Sequence, residues 1–472
     1  MALLEFYDTT VAEVARRVRE GEVSARAMTE AALAAIESRN PSVNAFVSLD
    51  PARSLEQADA VDALVAAGVD PGPLAGVPLG VKDLEDAAGF PTTHGSPLEA
   101  DAVPAARDSH LVERLRRAGC VVVGKTNTPE YGWTARSDNA VFGFTRNPWQ
   151  LEHSAGGSSG GSAAALAAGM VPLATGSDGG GSIRIPSALC GLSGFKPSFG
   201  RVPSGGVAPP GWLHFSAKGP MARRVGDVAL ALDAVVGPEQ DDLNSLPRPD
   251  ASWLDAVADP HLPAKVAWSP TLGYATPDAA VLAACETAVA ALEALGVEVV
   301  EVPAVFDADP VLTWIDVVAA CTLRDLAPLA SHPRYGELHP QLRALAEHGA
   351  TVTGVQVVRA YDEFHRMNLR LVELFRDARL LLTPTTAAPA PHEDDGVQGR
   401  VNGQLDPAWV RFTYPFNMTR NPAATVCAGL TEAGLPVGLQ LVGPQHADAL
   451  VLRSAAALEA AIGFDARPSM LG

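Results

Sequence analysis

Apolar residues recur at helical spacing near the start of the chain. Thr10 is a capping residue, and the apolar positions after it follow the i, i+3, i+4, i+7 spacing of a helix that ends at Gly21. Ser24 caps a second helix with one apolar face, which we expect to stop before Pro41 because proline lacks a backbone N–H. Both helices belong to a predicted N-terminal helical layer that covers residues 1–70.

Short β-branched or apolar runs then alternate with helical periods. The predicted strands are 74–81, 120–123, 171–175, 265–268, 297–302, 424–428 and 437–442. The predicted helices are 109–118, 162–170, 225–236, 278–295 and a last one that stops at Gly463. This alternation is typical of α/β proteins. We predict one α/β domain over residues 1–472, with a mixed central β-sheet sandwiched between layers of α-helices. The least recognisable stretch, about 304–415, is predicted to be a variable substrate-binding region.

Composition excludes several classes of partner. The chain has 472 residues, 47% of them hydrophobic, which is enough to build a large core. A net charge of −19 opposes binding to nucleic acid or to anionic membranes. The first residues show neither a basic region nor a long apolar run, so we predict no signal peptide and no membrane span. Five scattered cysteines without zinc-site spacing favour a reduced, cytoplasmic protein.

The candidate chemistry lies in two glycine–serine runs and one lysine. The runs are Gly156–Ser162 and Gly176–Ser182, and Lys82 follows the apolar strand predicted at 74–81. A glycine–serine run alone is usually a flexible turn. Amide hydrolysis, however, needs a nucleophile, a proton shuttle and a group that stabilises an oxyanion. Two serines on glycine-rich loops and one lysine can supply these without histidine.

With these residues the chain resembles the amidase signature family. The similarity continues at Gly219–Arg223, Leu382–Thr385 and Gly434–Gly443, so that it runs from roughly residue 8 to the C-terminus. The resemblance implies the amidase signature fold over the whole chain, a small-molecule substrate and no cofactor.

The resemblance also implies a role for each site residue. Ser182 would be the nucleophile, Ser158 the bridging serine after a cis Gly157–Ser158 bond, and Lys82 the base. Burial of Lys82 would depress its pKa and so provide a neutral amine. The backbone N–H groups that would form the oxyanion hole are those of Gly179, Gly180, Gly181 and Ser182. The family usually has threonine or a similar residue at the position of Gly179.

Other residues receive supporting roles or none. Asp178 and Arg184 flank the nucleophile and are expected to hold its loop through hydrogen bonds, and Ser159 and Ser177 to be structural donors. Neither glycine–serine run has the phosphate-loop or the dinucleotide pattern, no HExxH motif occurs, and no metal site is predicted. A Ser-His-Asp triad stays open as an alternative, although no histidine has a distinctive context.

The leading hypothesis is a stand-alone amidase that acts on a linear carboxylic amide through an acyl-enzyme. Esters, anilides and carbamates (urethanes) are chemically adjacent substrates, and the family includes aryl acylamidases, nylon-oligomer hydrolases and urethane-cleaving enzymes. One alternative is the glutaminase subunit of a tRNA-dependent amidotransferase. Another is an inactive binding protein on the same scaffold, against which the intact serines and lysine argue. Either a monomer or a homodimer is expected.

Substrate choice is expected to depend on residues outside the two serines and the lysine. Arg420 stands where the family commonly has glycine, and would either contact an acidic substrate group or pair on the surface. The candidate pocket aromatics are Trp133, Trp149, Trp212, Trp314, Tyr414 and Phe416.

Overall fold

The computed structural model describes residues 5–205 and 211–471. Within these ranges the α-helices, α1 to α14 in chain order, are Val11–Arg19, Ala25–Val43, Pro51–Ala66, His110–Arg117, Gly160–Ala167, Arg184–Leu189, Val225–Val235, Trp253–Ala258, Ala279–Ala294, Val311–Leu326, Pro340–Gly349, Gly354–Asp377, Pro415–Met418 and Asp448–Ile462. The β-strands, β1 to β15, are Phe46–Leu49, Pro78–Lys82, Val121–Thr126, Arg146–Asn147, Gln150–Ser154, Leu173–Asp178, Gly194–Lys196, Ala217–Ala222, Lys265–Trp268, Glu298–Glu301, Leu381–Pro384, Gly399–Val401, Gln404–Asp406, Ala423–Leu430 and Pro436–Val442.

Eleven of these strands form the centre of the molecule. One sheet has the order β1-β3-β2-β6-β8 and the other the order β10-β9-β11-β15-β14-β7. An isolated antiparallel bridge between Ser193 and Ala222 joins them at the β7 and β8 edges. Strand β2 is parallel to both β3 and β6, whereas β8, β14 and β15 pair antiparallel with their neighbours. The predicted α/β fold class with a mixed central sheet is therefore confirmed.

The N-terminal helices follow the predicted capping signals, with one correction. Thr10 accepts the N–H of Glu13 and begins α1. Helix α2 does not stop before Pro41, as predicted, but continues to Val43. A proline in the last turn removes only one hydrogen bond. The helix ends at Asn44, which has a left-handed φ of 56° and donates its N–H to the carbonyl of Asn40 at 2.7 Å.

The strand predicted at 74–81 is shorter than expected. The N–H groups of Leu74 and Gly76 donate to the carbonyls of Ala118 and Gly119, at the end of α4, at 2.8 and 2.9 Å. These bonds hold the segment outside the sheet, and the strand begins at Pro78. A proline suits the first position of a strand because it has no N–H to donate to a neighbour.

Helices cover the sheets and form two main apolar clusters. The larger cluster packs α1, α2, α7, α9 and α14 against the strands. The second joins α10 and α12 to the segment before β14. Residues 304–415 contribute α10, α11, α12 and β11 to β13. Their predicted role as a substrate-binding region stays a prediction, as does the division of the chain into layers. None of the described helices is long and apolar enough to cross a membrane.

Candidate active site

Two neighbouring parallel strands bring the candidate residues to one edge of the sheet. Lys82 is the last residue of β2, and β6 ends at Asp178, just before the glycine run that leads to Ser182. The carboxyl ends of parallel strands meet at the same sheet edge. The backbone N–H of Lys82 also donates to Thr175 Oγ1 of β6 at 2.9 Å, which fixes the two strand ends together.

The Lys82 side chain is fully buried and makes two hydrogen bonds. Its Nζ donates to Ser158 Oγ at 2.7 Å and to Ser177 Oγ at 2.9 Å. Burial lowers the pKa of Lys82 to about 7, although the carboxylates of Glu85 and Asp178 act in the opposite direction. A large share of Lys82 is therefore neutral at neutral pH, as a proton acceptor must be. Ser177, expected only to be a structural donor, is also a direct partner of this amine.

Ser158 follows a cis peptide bond to Gly157. A Cβ atom at Gly157 would lie 2.7 Å from the backbone nitrogen of Arg136, so that only glycine fits there. The N–H of Ser159 donates to the carbonyl of Ser182 at 3.2 Å and ties the two glycine–serine loops together. Ser158 and Ser182 line the same cleft. Their hydroxyls are not hydrogen-bonded to each other in this structure, so this contact of the relay stays a prediction.

Asp178 organises the loop that carries Ser182. Its carboxylate accepts the backbone N–H groups of Gly181 at 2.8 Å, Ile183 at 3.2 Å and Arg184 at 3.3 Å. It also forms a fully buried ion pair with the Arg184 guanidinium at 2.9 Å. Burial alone would raise the pKa of Asp178, but the Arg184 charge and hydrogen bonds hold it well below its usual range. The carboxylate thus stays ionised and keeps the loop folded around it.

Three residues that the sequence did not single out for this role complete the support of the loop. Arg184 donates to the carbonyl of Thr413 at 3.0 Å, to the Gln440 side chain at 2.5 Å and to Asn417 Oδ1 at 2.7 Å. Asn417 in turn donates to the carbonyl of Asp178 at 2.7 Å. Gln440 lies in the family-like stretch Gly434–Gly443, which is the one signal that could have identified it.

The backbone carbonyls of the loop that carries Ser182 accept hydrogen bonds from protein donors. Trp314 Nε1 donates to the Gly179 carbonyl at 3.3 Å, and Thr413 Oγ1 donates to the Gly180 carbonyl at 2.6 Å. The N–H groups of Gly179, Gly180 and Ser182 have no partner among the described residues. The N–H of Gly181, by contrast, is already taken by Asp178. The loop therefore offers three free N–H groups rather than the predicted four.

Two tryptophans explain the glycines at 179 and 180. A Cβ atom at Gly179 would lie 2.6 Å from the Trp212 ring, and one at Gly180 would lie 2.7 Å from the Trp314 ring. The two indoles meet edge to face at 5.9 Å, and Trp314 stacks on Tyr414 at 5.4 Å. At position 179, where the family usually has a larger residue, this chain instead fills the space with an indole.

The residues predicted to contact the substrate differ in where the structure places them. Of the six aromatic residues proposed from the sequence, Trp212 lines the cleft that contains Ser158 and Ser182. Phe416 is buried in the core, and Trp149 donates to the carbonyl of Cys190. Arg420 has a left-handed φ of 63°, which agrees with the glycine common in the family. Its guanidinium lies over the Phe199 ring, 5.5 Å from the centroid, and it does not line the cleft.

The cleft has a volume of about 1410 Å³ and reaches well beyond the two serines. Its wall near Ser158 includes Leu84, His94, Tyr131 and Gly132. Across the described ranges, no group of three or more histidine, cysteine or acidic side chains is placed to hold a metal ion. A cleft of this size is large enough for a small organic amide.

Comparisons with known proteins identify the family. A family profile described as Amidase matches residues 27–452. An acylamidase of Rhodococcus erythropolis is 40% identical, over 95% of this chain and 94% of the relative. A glutamyl-tRNA(Gln) amidotransferase subunit of Salinispora arenicola is 37% identical, over 98% and 99% of the two chains.

Solved structures agree with these relatives. A bacterial aryl acylamidase of the amidase signature family superposes with a TM-score of 0.89 at 31% identity, over 96% of both chains. A 6-aminohexanoate cyclic dimer hydrolase, solved with its substrate, also gives 0.89 at 28% identity, over 99% of this chain and 100% of the other. The chain therefore belongs to the amidase signature family and is a hydrolase of amide bonds.

Proposed function

We propose that this protein cleaves linear carboxylic amides through an acyl-enzyme on Ser182, with Ser158 and Lys82 as the proton relay. Ser182 Oγ attacks the carbonyl carbon and passes its proton to Ser158, whose own proton moves to Lys82 Nζ. The tetrahedral intermediate then expels the amine, which takes a proton back through Ser158. Water attacks the acyl-enzyme by the same relay and releases the acid. The observation that carries this proposal is the buried Lys82 amine, 2.7 Å from Ser158 Oγ.

The oxyanion hole in this proposal consists of the N–H groups of Gly179, Gly180 and Ser182. They are free of protein partners among the described residues, and the carbonyls on the same loop are fixed by Trp314 and Thr413. Donors held in place before the reaction stabilise the developing negative charge without reorganisation. In this proposal Gly181 positions the loop through Asp178 and does not donate to the substrate.

The relay needs only an acyl carbon and a leaving atom that can take a proton, whether nitrogen or oxygen, so we extend the proposal to esters, anilides and carbamates. Each has an acyl carbon and a leaving group that Ser158 can protonate. We also propose a cytoplasmic protein that works as a monomer or homodimer on small molecules, without nucleic acid. The five cysteines, all buried and unpaired, support the reducing compartment.

Labelling of the nucleophile tests the proposal. A sulfonyl fluoride should add once, on Ser182, and Ser182→Ala should lose both the adduct and amide turnover while it keeps the native circular dichroism spectrum. Ser204→Ala is the matched control, because Ser204 lines the same cleft, and it should label like the parent. Peptide mapping that places the adduct on another residue would overturn the assignment of Ser182.

The glutaminase subunit of an amidotransferase is the second candidate function, because the amidotransferase relative is 37% identical over nearly the whole chain. That function requires hydrolysis of glutamine and a partner that receives ammonia. We expect the purified chain alone to hydrolyse simple amides and anilides at least as well as glutamine. Activity on glutamine alone, and only after addition of partner proteins, would favour the second candidate.

A further inference from the structure

Helix α12 has apolar residues on two opposite faces. One face includes Phe364 and Leu371, which are buried in the second apolar cluster. The opposite face is open, and it carries four apolar side chains that are between 42% and 64% exposed: Val355, Val358, Leu369 and Val372. A continuous exposed apolar row on a soluble protein commonly marks an interaction surface.

The open face follows the seven-residue repeat of a coiled coil. Its positions alternate in steps of three and four residues along the helix and are, in order, Val355, Val358, Asp362, His365, Leu369 and Val372. These are the a and d positions through which one helix packs along another. All six side chains are exposed, so no part of the described chain covers this row, which we call the α12 seam.

The α12 seam is complementary to itself when a second copy of the helix runs antiparallel. A two-fold axis between residues 363 and 364 places Val355 opposite Val372 of the second copy, and Val358 opposite Leu369 of the second copy. Each a position then faces a d position of the other helix, so the two repeats stay in step along the whole seam. The same surface is used on both copies, as a two-fold dimer interface requires.

The two polar residues of the seam favour the antiparallel orientation. In this register Asp362 faces His365 of the second copy, and the contact occurs twice because of the two-fold axis. Neither side chain has a hydrogen bond or an ion pair to another described residue, and an imidazole N–H can donate to a carboxylate. In a parallel pair, Asp362 would instead face Asp362 of the second copy, and the like charges would repel. A polar layer within an apolar seam can fix the register of two helices in this way.

The charges beside the seam also permit two copies to approach. The chain has a net charge of −19, but α12 contains four arginines and four acidic residues. In the antiparallel register, Arg359, which has no ion pair among the described residues, comes near Glu373 of the second copy. Arg366 lies close to the two-fold axis, where its charge is paired with Glu363 at 2.7 Å. The helix therefore meets its copy with less repulsion than the net charge would cause elsewhere on the surface.

We propose that the α12 seam is a homodimer interface, in which the seam of one copy packs antiparallel against the seam of a second copy. The inference selects one of the two oligomeric states named above, and it is independent of the acyl-enzyme mechanism because none of the six seam residues lines the cleft. A single pair of helices makes a small interface, so the dimer should dissociate on dilution.

Sedimentation velocity of the full chain measures this association. In low-salt buffer, the parent should shift from monomer to dimer as its concentration rises from about 1 to 200 µM. Val358→Glu, which places a carboxylate against Leu369 of the second copy, should stay monomeric over this range and keep the parent's rate on a simple anilide. Val103→Glu is the matched control, because Val103 is 82% exposed but lies outside α12, and it should dimerise like the parent.

Disulfide cross-linking tests the register. When Val358→Cys and Leu369→Cys are combined, each new sulfur lies opposite the other substituted position of the second copy, so mild oxidation should give a covalent dimer. Either substitution alone should not cross-link, because equivalent positions of the two copies lie about 16 Å apart along the helices, beyond the reach of a disulfide. The two new sulfurs of one chain are equally far apart, and the five native cysteines are buried and do not compete.

The results that overturn the inference are distinct from those that overturn the proposed function. A parent that stays monomeric at about 200 µM would refute the interface. A dimer that survives Val358→Glu would mean that another surface forms it, and efficient cross-linking of either single variant would mean a parallel pair, which also contradicts the proposal. If the sulfonyl fluoride labels Ser182 but no dimer forms, the acyl-enzyme stands and the α12 interface fails; labelling elsewhere in a protein that dimerises as described gives the reverse conclusion.

Discussion

The pH dependence of turnover should have its midpoint near 7, and replacement of Glu85 by glutamine should move this midpoint to lower pH. Burial lowers the pKa of Lys82 to about 7, and Glu85 is the largest influence in the opposite direction. Its negative charge stabilises protonated Lys82. Removal of that charge therefore lowers the pKa of Lys82 further, and the neutral amine, which accepts the proton in the proposed mechanism, persists into more acidic solution.

The size of the effect follows from the burial of Lys82. At pH 7, an ordinary lysine is neutral in only about 3 of 10⁴ molecules, whereas a lysine with a pKa of about 7 is neutral in about half. Burial thus raises the active fraction roughly a thousandfold. Loss of one partly screened charge at Glu85 should shift the midpoint by about 0.5–1 pH unit. Glutamine still accepts the hydrogen bond that Lys218 Nζ now donates to Glu85 at 2.9 Å, so the local structure should survive.

The assay is kcat/KM against pH for one anilide and one nitrophenyl ester. Below the midpoint the rate should fall tenfold per pH unit. Asp86→Asn is the matched control, because Asp86 lines the same cleft but does not act on Lys82, and its midpoint should equal that of the parent. Lys82→Ala should impair the anilide more than the ester, since an amine needs protonation to leave and a nitrophenolate does not.

Two results would refute this reasoning. An unchanged or higher midpoint in Glu85→Gln would mean that the titrating group is not Lys82. A Lys82→Ala enzyme with the parent's anilide rate and pH profile would mean that another base accepts the proton, and a histidine triad would have to be reconsidered.

Three further substitutions test how the site is held. Gly157→Ala should lose activity and about 1–3 kcal/mol of unfolding free energy, because its Cβ would meet backbone at 2.7 Å. Gly226→Ala, with open space around it, should lose neither, and equal denaturation midpoints for the two variants would contradict this. Asp178→Asn should cost about 3–5 kcal/mol because it leaves the buried Arg184 charge without its ion-pair partner, and urea titration that shows a smaller loss would disprove that dependence. Trp314→Phe should lower kcat about 2- to 10-fold with little change in melting temperature, because it removes the bond to the Gly179 carbonyl; an unchanged kcat would mean that this bond does not position the loop.

Local signals in the sequence were sufficient for many elements of the fold. The strand predicted at 265–268 has those bounds, and the last helix ends at Gly463 with the left-handed φ of 60° that glycine permits. Helix α12 was missed although its buried face has a helical period. Its exposed face carries Val355, Val358, Leu369 and Val372, so apolar residues occur on both sides and the period is blurred.

The candidate site also contains some residues that the sequence could locate and others that it could not. The lysine and the two serines stand in short, recognisable runs, and resemblance to a family could place them. The contacts of Thr413, Asn417 and Gln440 could not be predicted, because each residue reaches the loop that carries Ser182 from more than two hundred residues away along the chain. The fit of Trp212 against Gly179 is equally non-local, since nothing in a glycine indicates which side chain will occupy the space beside it.

The buried ion pair between Asp178 and Arg184 also bears on Lys82, the proposed base. Asp178 acts on Lys82 and by itself would favour the protonated amine. The positive charge of the Arg184 guanidinium, 2.9 Å from that carboxylate, acts against the effect of the carboxylate on Lys82. Desolvation can then dominate the pKa of Lys82, even with a carboxylate in the loop next to it. Arg184 therefore connects two requirements of the proposed mechanism, since the same side chain that holds the Ser182 loop in place also carries a positive charge that disfavours protonation of Lys82.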